Sequence, residues 1–361
     1  MEHDDRPPPP PSSPAPFASG GQLHPATPLV GAMTRAAGGF TRAIGLISGL
    51  FLAGGIFLTG LIIGVVVMIA GSTKPVIVEA AYRDGGRDTI AIIPVEGFID
   101  RRKAEFVRAA VDHVLDRPRS VRAVILRVDS PGGGVTSSDQ IWKQIQRLSD
   151  AGLPVIASYG GIAASGGYYI SCGTDQIVAE PTCITGSIGV ILQTFIIEDL
   201  LGRVGIEPVT LVSTGSPNKD LGSPFRSWTE KDRERYIAIL DAAYDTFSQR
   251  VKAGRKDVIT EPAAVDALAD GSIYTAQTAL ENGLIDAIGY LDDAIGTAEK
   301  AARLATGRST VVILRRPPTL FGNGILSQAR AGPTGGELLD AGAIRRLVND
   351  LGSPRLMYLM K

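Results

Sequence analysis

Ser165 stands in a run of small residues, Ala163-Ala164-Ser165-Gly166-Gly167, a few positions after the apolar stretch Pro154–Tyr159. A hydroxyl at a strand-to-helix turn, flanked by residues without bulk, lets a carbonyl approach. The N–H of the following residue can then face the oxyanion that forms. Close packing of small residues in a helix would explain the same run. A second segment, Asp129-Ser130-Pro131-Gly132-Gly133-Gly134, follows another apolar stretch. Consecutive glycines let backbone N–H groups point into a crevice, where they cradle a phosphate or an oxyanion. The chain has no GxxxxGK[ST] and no GxGxxG here, and no lysine follows directly, which counts against phosphate. A turn with no ligand is the alternative.

A serine hydroxyl attacks nothing without a proton acceptor. The chain has three histidines, and His3 and His24 lie in a proline-rich leader. His113 sits at the edge of a helical stripe with no site chemistry around it and reads as a packed or surface residue. Lysine is the practical substitute where burial favours the neutral amine. Of nine lysines, Lys74 adjoins an apolar segment, Lys361 is the last residue, and six lie in or beside expected helices among polar neighbours. Lys219 differs, lying in the small-residue loop Ser213–Ser223 after an expected strand. By itself it would read as a solvated loop lysine; beside a candidate nucleophile and two glycine segments it reads as a base.

Composition narrows the classes. Thirty-six basic and 37 acidic residues give a net charge of -1, so no chain-wide field favours nucleic acid. Cys172 and Cys183 are too few for a disulfide framework and form no CxxC or Cys/His zinc cluster. They read as small buried hydrophobes near the site, with a disulfide between them left open. No metal and no cofactor is expected.

The elements that must position these residues follow a membrane-type leader. Residues 1–42, which hold nine prolines between Pro7 and Pro28, read as a disordered cytoplasmic tail. Residues 43–70 read as one uncleaved transmembrane helix: no residue from Ala43 to Thr73 is charged. The core Ile44–Ala70, at about 1.5 Å per residue, exceeds the roughly 30 Å hydrocarbon layer. Arg35 and Arg42 before the segment nearly balance Lys74, Arg83 and Arg87 after it, so charge does not set its orientation. Beyond it, strand-like runs (Thr89–Val95, Val121–Val128, Pro154–Tyr159, Ile177–Ala179, Ser187–Leu192, Pro208–Val212) alternate with helical stripes at residues 102–117 and from Val135 to about Leu148. The stretch Gly160–Gly167 is expected to open another helix. This is an α/β fold with crossover connections, whose crevice lies beyond the carboxyl ends of the strands. Thr229 caps a helix to about Lys252, shorter helices follow at about 275–282 and 290–303, and 306–361 reads as a loosely packed extension after the domain at 75–305.

Taken together, Asp129–Gly134, Ala163–Ser171 with its Tyr168-Tyr169, Thr185-Gly186-Ser187-Ile188-Gly189-Val190 and the Lys219-Asp220 loop occur in the order and spacing of the signal peptide peptidase A family. The chain resembles its short, single-copy form over about residues 85–305. The resemblance implies a Clp protease/crotonase-like fold of repeated β-β-α units behind one membrane helix. It implies a serine endopeptidase with Ser165 as nucleophile, Lys219 as general base, Ser187 orienting the lysine, and the N–H groups of Gly133 and Gly166 as oxyanion hole. It further implies cleaved signal peptides and other membrane-associated peptides as substrates. The protein would be a homo-oligomeric ring sharing active sites between protomers, in the inner membrane with the catalytic domain outside the cytoplasm. Two other classes share parts of this pattern: an acyl-CoA enzyme of the same fold, using carboxylate bases, and a non-catalytic membrane scaffold.

Overall fold

The computed structural model describes residues 54–61, 64, 77–117, 120–317 and 355–359, in two units that divide between Thr73 and Lys74. In the first unit, residues 54–61 and 64 are helical, and Ile56, Phe57, Leu58 and Leu61 are exposed. The proline-rich leader and the rest of the apolar segment lie outside the described residues. Among the described residues, no helix is long and apolar enough to cross a membrane.

The second unit is mixed α/β. In chain order it contains β1 (Val78–Arg83), β2 (Thr89–Glu96), α1 (Arg101–Leu115), β3 (Val121–Ser130), β4 (Gly132–Gly134), α2 (Val135–Asp150), β5 (Val155–Ala164) and α3 (Gly166–Ser171). There follow β6 (Gln176–Ala179), β7 (Ile184–Gly186), β8 (Ile191–Gln193), α4 (Glu198–Arg203), α5 (Glu230–Gly254), α6 (Pro262–Leu268), β9 (Ile273–Thr275), α7 (Ala276–Glu281), β10 (Ala287–Ile288), α8 (Leu291–Ala301), β11 (Thr310–Arg315) and β12 (Arg355–Leu359).

The main sheet runs β1-β11-β2-β3-β5-β6-β10, parallel from β11 onward, with β1 antiparallel at its edge. The second half of β5 pairs with β7, which in turn pairs with β9. Strand alternation explains why the central runs are apolar throughout. Ile90, Ile92, Ala123 and Ile125 pack on one face with Ala294, Ile295 and Ala298 of α8. Their neighbours Ile93, Val95, Val124, Leu126 and Val128 pack on the other with α1 and α2. Each fully buried Ile or Leu contributes roughly 1.5–3 kcal/mol, so the strands that carry the site belong to a strongly held sheet.

Five local expectations change. The run Ser187–Leu192 is not one strand: residues 187–190 are irregular and only Ile191–Gln193 is extended. Gly132–Gly134 is an extended strand rather than a turn. The stretch from Gly160 does not open a helix: β5 continues to Ala164, because β7 supplies a second parallel partner past the end of β6. Pro208–Val212 is not a strand; among the described residues nothing pairs with it, and Val209 and Leu211 are 78% and 91% exposed. The strand at Thr310–Arg315 is not part of a loose extension but lies inside the sheet between β1 and β2.

Candidate active site

β3 and β5 are parallel neighbours, so the segments that follow them emerge side by side at their carboxyl ends. Past Ala164 comes Ser165, with φ 52° and ψ -112°, and then α3. A left-handed serine costs on the order of 1–3 kcal/mol and persists only where its surroundings hold it. Here the Ser165 N–H donates to the Gly186 carbonyl (2.8 Å), and its carbonyl accepts from the Tyr169 N–H (2.8 Å). Thr185 Oγ1 donates to the Ala163 carbonyl (2.6 Å), locking β5 to β7. Ser187 repeats the device with φ 50°, its N–H donating to the Ser272 carbonyl at 2.7 Å. Ala164 and Gly186 are register partners. Ser165 and Ser187 are therefore equivalent positions at the ends of adjacent parallel strands, two strained serines side by side.

The Ser165 hydroxyl is buried and, among the described residues, has no hydrogen-bond partner. Leaving a buried hydroxyl unpaired costs about 1–3 kcal/mol. Native folds keep few such groups, and a functional site is one reason to keep one.

Gly133 faces this hydroxyl's surroundings through its backbone. The Ile99 N–H donates to the Gly132 carbonyl and the Gly134 N–H to the Ile99 carbonyl, both at 2.9 Å. Bonds from an extended strand alternate between its two sides, so the N–H and carbonyl of Gly133 turn to the side away from Ile99. Only glycine fits there: a Cβ would lie 2.6 Å from the Ile99 nitrogen and closer still to its carbonyl oxygen. A Cβ on Gly166 would lie 2.7 Å from Ser138 Oγ and 3.1 Å from the Gly133 nitrogen. The two backbone positions expected to stabilise an oxyanion are thus packed against each other beside Ser165.

Lys219 is not brought to them. It is exposed on its loop, and the absence of any partner at Ser165 Oγ means the two are not hydrogen-bonded within one chain. The loop itself is anchored. Arg226 Nε donates to Asp220 Oδ2 (2.6 Å), and its terminal nitrogens donate to Asp232 Oδ2 (2.5 Å) and Oδ1 (3.1 Å) at the start of α5. Those hydrogen bonds hold both carboxyls below the usual carboxylate range, Asp232 most strongly. Trp228 stacks on Tyr236 with ring centroids 4.9 Å apart, and its Nε1 donates to the Ser223 carbonyl.

Three residues of the site went unread in the sequence. Ser130 Oγ donates to the Gly97 carbonyl (2.6 Å) and accepts from the Gly132 N–H (3.1 Å), bracing the glycine strand. Ser138 on α2 is fully buried with an unpartnered Oγ next to Gly166. Arg226 is the third. Only Ser130 had a signal, its place inside the glycine motif; the partners of the other two come from separate elements. Cys172 and Cys183 are free and buried, and burial pushes both thiols up to about 12. His113 Nε2 lies 2.9 Å from Glu79 Oε1 on the outer side of α1, as expected of a surface histidine. Among the described residues, no group of His, Cys, Asp and Glu could hold a metal ion.

Comparison with known proteins adds to this geometry. Residues 147–305 match the model of peptidase family S49. The chain is 34% identical over 247 residues to an Enterococcus faecium protein assigned as a signal peptide peptidase, covering 68% of this chain and 70% of that one. It is 36% identical over 239 residues to a Synechocystis protein assigned as a protease, covering 66% and 83%. It is also 35% identical over 246 residues to the chloroplastic serine protease SPPA of Arabidopsis thaliana, covering 65% of this chain but 36% of that longer one. These relatives, matched over two thirds or more of their length in two cases, show that the chain belongs to the signal peptide peptidase A family, peptidase family S49, a family of serine proteases.

Proposed function

We propose that this chain is a serine endopeptidase with a Ser165–Lys219 dyad, built on a Clp protease/crotonase-like fold. The observation that carries this reading is the Ser165 hydroxyl, buried without a partner on a strained backbone beside the glycine strand. The neutral Lys219 amine takes the Ser165 proton as Oγ attacks a peptide carbonyl. The N–H groups of Gly133 and Gly166 stabilise the tetrahedral oxyanion; the lysine then protonates the leaving amine, and water releases the acyl group. Ser187 holds the amine in line. It borders a cavity of about 730 Å³, shared with Tyr244, Asp270 and Ser272, that has room for an incoming lysine side chain.

The lysine comes from a neighbouring protomer in a homo-oligomeric ring. Two features support this: Lys219 is exposed in the single chain, and the segment that carries it displays Leu200, Val204, Val209 and Leu211 to solvent. Apolar side chains in such a cluster mark a surface that is covered in the assembly. The substrates are cleaved signal peptides and other membrane-associated peptides. The uncharged segment 43–70 anchors the enzyme once in the inner membrane, with the catalytic unit outside the cytoplasm. A fluorophosphonate probe tests the reading on the assembled protein. Covalent labelling at Ser165 that is lost in Lys219→Ala supports it; no labelling of Ser165 in the native assembly refutes it.

A further inference from the structure

A cavity of about 810 Å³, lined by none of the residues placed in the active site, opens where the carboxyl ends of β2 and β11 meet the start of α1. That volume lies within the roughly 300–1,000 Å³ of small-molecule sites. The lining divides by chemistry. Ile92, Pro94, Phe98, Phe106, Leu291 and Ile313 supply apolar surface. Arg102, Lys103, Arg127, Arg315 and Arg316 bring five positive charges against the two carboxyls of Glu96 and Asp100. Arg127 is neutralised by Glu180, its Nη2 donating to Oε1 at 2.5 Å. Among the described residues, no carboxylate pairs with Arg102, Lys103, Arg315 or Arg316. Asp100 is already engaged, its Oδ1 accepting the Lys103 N–H (2.8 Å) as the cap of α1. Arg316 is held in place: its Nη2 donates to the Arg102 carbonyl (2.6 Å), and its guanidinium carbon lies 5.8 Å from the centre of the Phe106 ring. Like charges gathered around an apolar, low-dielectric wall focus their field into the cleft and draw in an anion.

The cavity also reaches the backbone that supports the glycine strand. Phe98 and Asp100 line it, and Ile99 between them is fully buried. The Ile99 N–H donates to the Gly132 carbonyl, and its carbonyl accepts from the Gly134 N–H. One residue earlier, the Gly97 carbonyl accepts from Ser130 Oγ. Phe98 is 44% exposed, so an occupant that covers it also steadies the turn on which β4 rests.

We infer that this cavity binds a single-chain amphiphile with an anionic head group, carboxylate or phosphate, and that its occupation stiffens the Gly97–Asp100 turn against β4. The apolar chain covers Phe98 and Phe106. The head group meets the guanidinium forks of Arg315 and Arg316, which match either anion through paired N–H groups. Binding stands apart from the peptidase reading; only its consequence for catalysis, a firmer Gly133, rests on that reading.

The test uses the full chain in nanodiscs of zwitterionic phosphatidylcholine, titrated with 11-(dansylamino)undecanoate, whose emission rises in apolar surroundings; the signal of empty discs is subtracted. Binding should be saturable and reversed by dodecanoate or dodecyl phosphate, but not by dodecanol. The double variant Arg315→Glu/Arg316→Glu changes two exposed side chains, so its melting temperature should hold while affinity falls about tenfold. Dodecanoate at about ten times its Kd should slow hydrogen exchange at the Ile99 and Gly134 amides about tenfold in the native chain, and about twofold in the double variant. Displacement by dodecanol as readily as by dodecanoate, equal affinity in the double variant, or unchanged exchange at both amides overturns the inference. None of these readouts uses catalysis, so each is distinct from a failure of Ser165 to label, which would instead refute the peptidase reading.

Discussion

Gly133→Ala is the sharpest test of the oxyanion assignment. A Cβ at this position would lie 2.6 Å from the Ile99 nitrogen and closer to the Ile99 carbonyl oxygen, both backbone atoms of the segment that follows β2. Neither can rotate away as a side chain would, so β4 has to shift by about 1 Å, a misplacement that can itself cost 10²-fold in rate. Removing a single oxyanion donor costs about 10²–10³ in kcat, or about 2.7–4 kcal/mol of transition-state stabilisation. The expected result is a fall of at least about 10² in kcat on a quenched fluorescent signal-peptide fragment. Gly134→Ala is the built-in control. Its Cβ would meet nothing nearer than Ser137 Oγ at 3.6 Å, and its φ of -64° suits alanine. It should keep near-normal kcat and melting temperature. The reasoning fails if Gly133→Ala stays within about threefold of wild type, or if Gly134→Ala falls as far as Gly133→Ala does.

Further outcomes follow from the same geometry. Ser165→Ala and Lys219→Ala should each be inactive yet folded. Mixed one to one and reassembled, they should recover about one quarter of wild-type activity, since each shared site needs an intact residue from each of two neighbours; no recovery would mean that the dyad does not cross the interface. Arg226→Leu leaves the buried Asp232 without its charged partner. It should lower stability by about 2 kcal/mol and kcat by about tenfold or more through the loosened Lys219 loop, with KM little changed; an unchanged kcat would refute the anchoring role. Because Arg226 holds the Asp220 and Asp232 carboxyls below their ordinary value of 3.8, the clamp's contribution is full above that value. Proteolytic susceptibility of the loop should therefore be flat from pH 7 to 5 and should rise only below about pH 4. Burial pushes Cys172 and Cys183 up to about 12, so neither thiol should react with iodoacetamide at pH 8 until urea unfolds the protein.

How far the site could be read in advance depended on how local its signals were. Ser165 and the glycine segments could be singled out because the proposed chemistry needs small neighbours in immediate sequence. Lys219 was nominated by elimination of the other lysines and by its coincidence with those segments. Strand alternation located β2, β3 and the first half of β5, since an apolar run buried on both faces needs no distant information. The run at Pro208–Val212 has the same appearance, yet among the described residues no strand lies beside it to pair with, and it is exposed. Glycine at 132–134 has no intrinsic strand preference and becomes a strand only because Ile99 and β12 supply partners.

The order of residue types along the chain therefore nominated the groups on which the proposed chemistry rests: a serine without bulk beside it, backbone N–H groups without Cβ atoms, and a lysine where imidazole is scarce. Tertiary structure decided what those groups face. It placed the strained serines 165 and 187 at the ends of paired strands, tied the lysine loop to α5 through Arg226, and laid Arg355–Leu359 along β4. The division has one physical cause. Bond-forming capacity is a property of single residues and their chain neighbours, whereas orientation, burial and occupancy arise from contacts between segments tens to hundreds of residues apart, which no local pattern records.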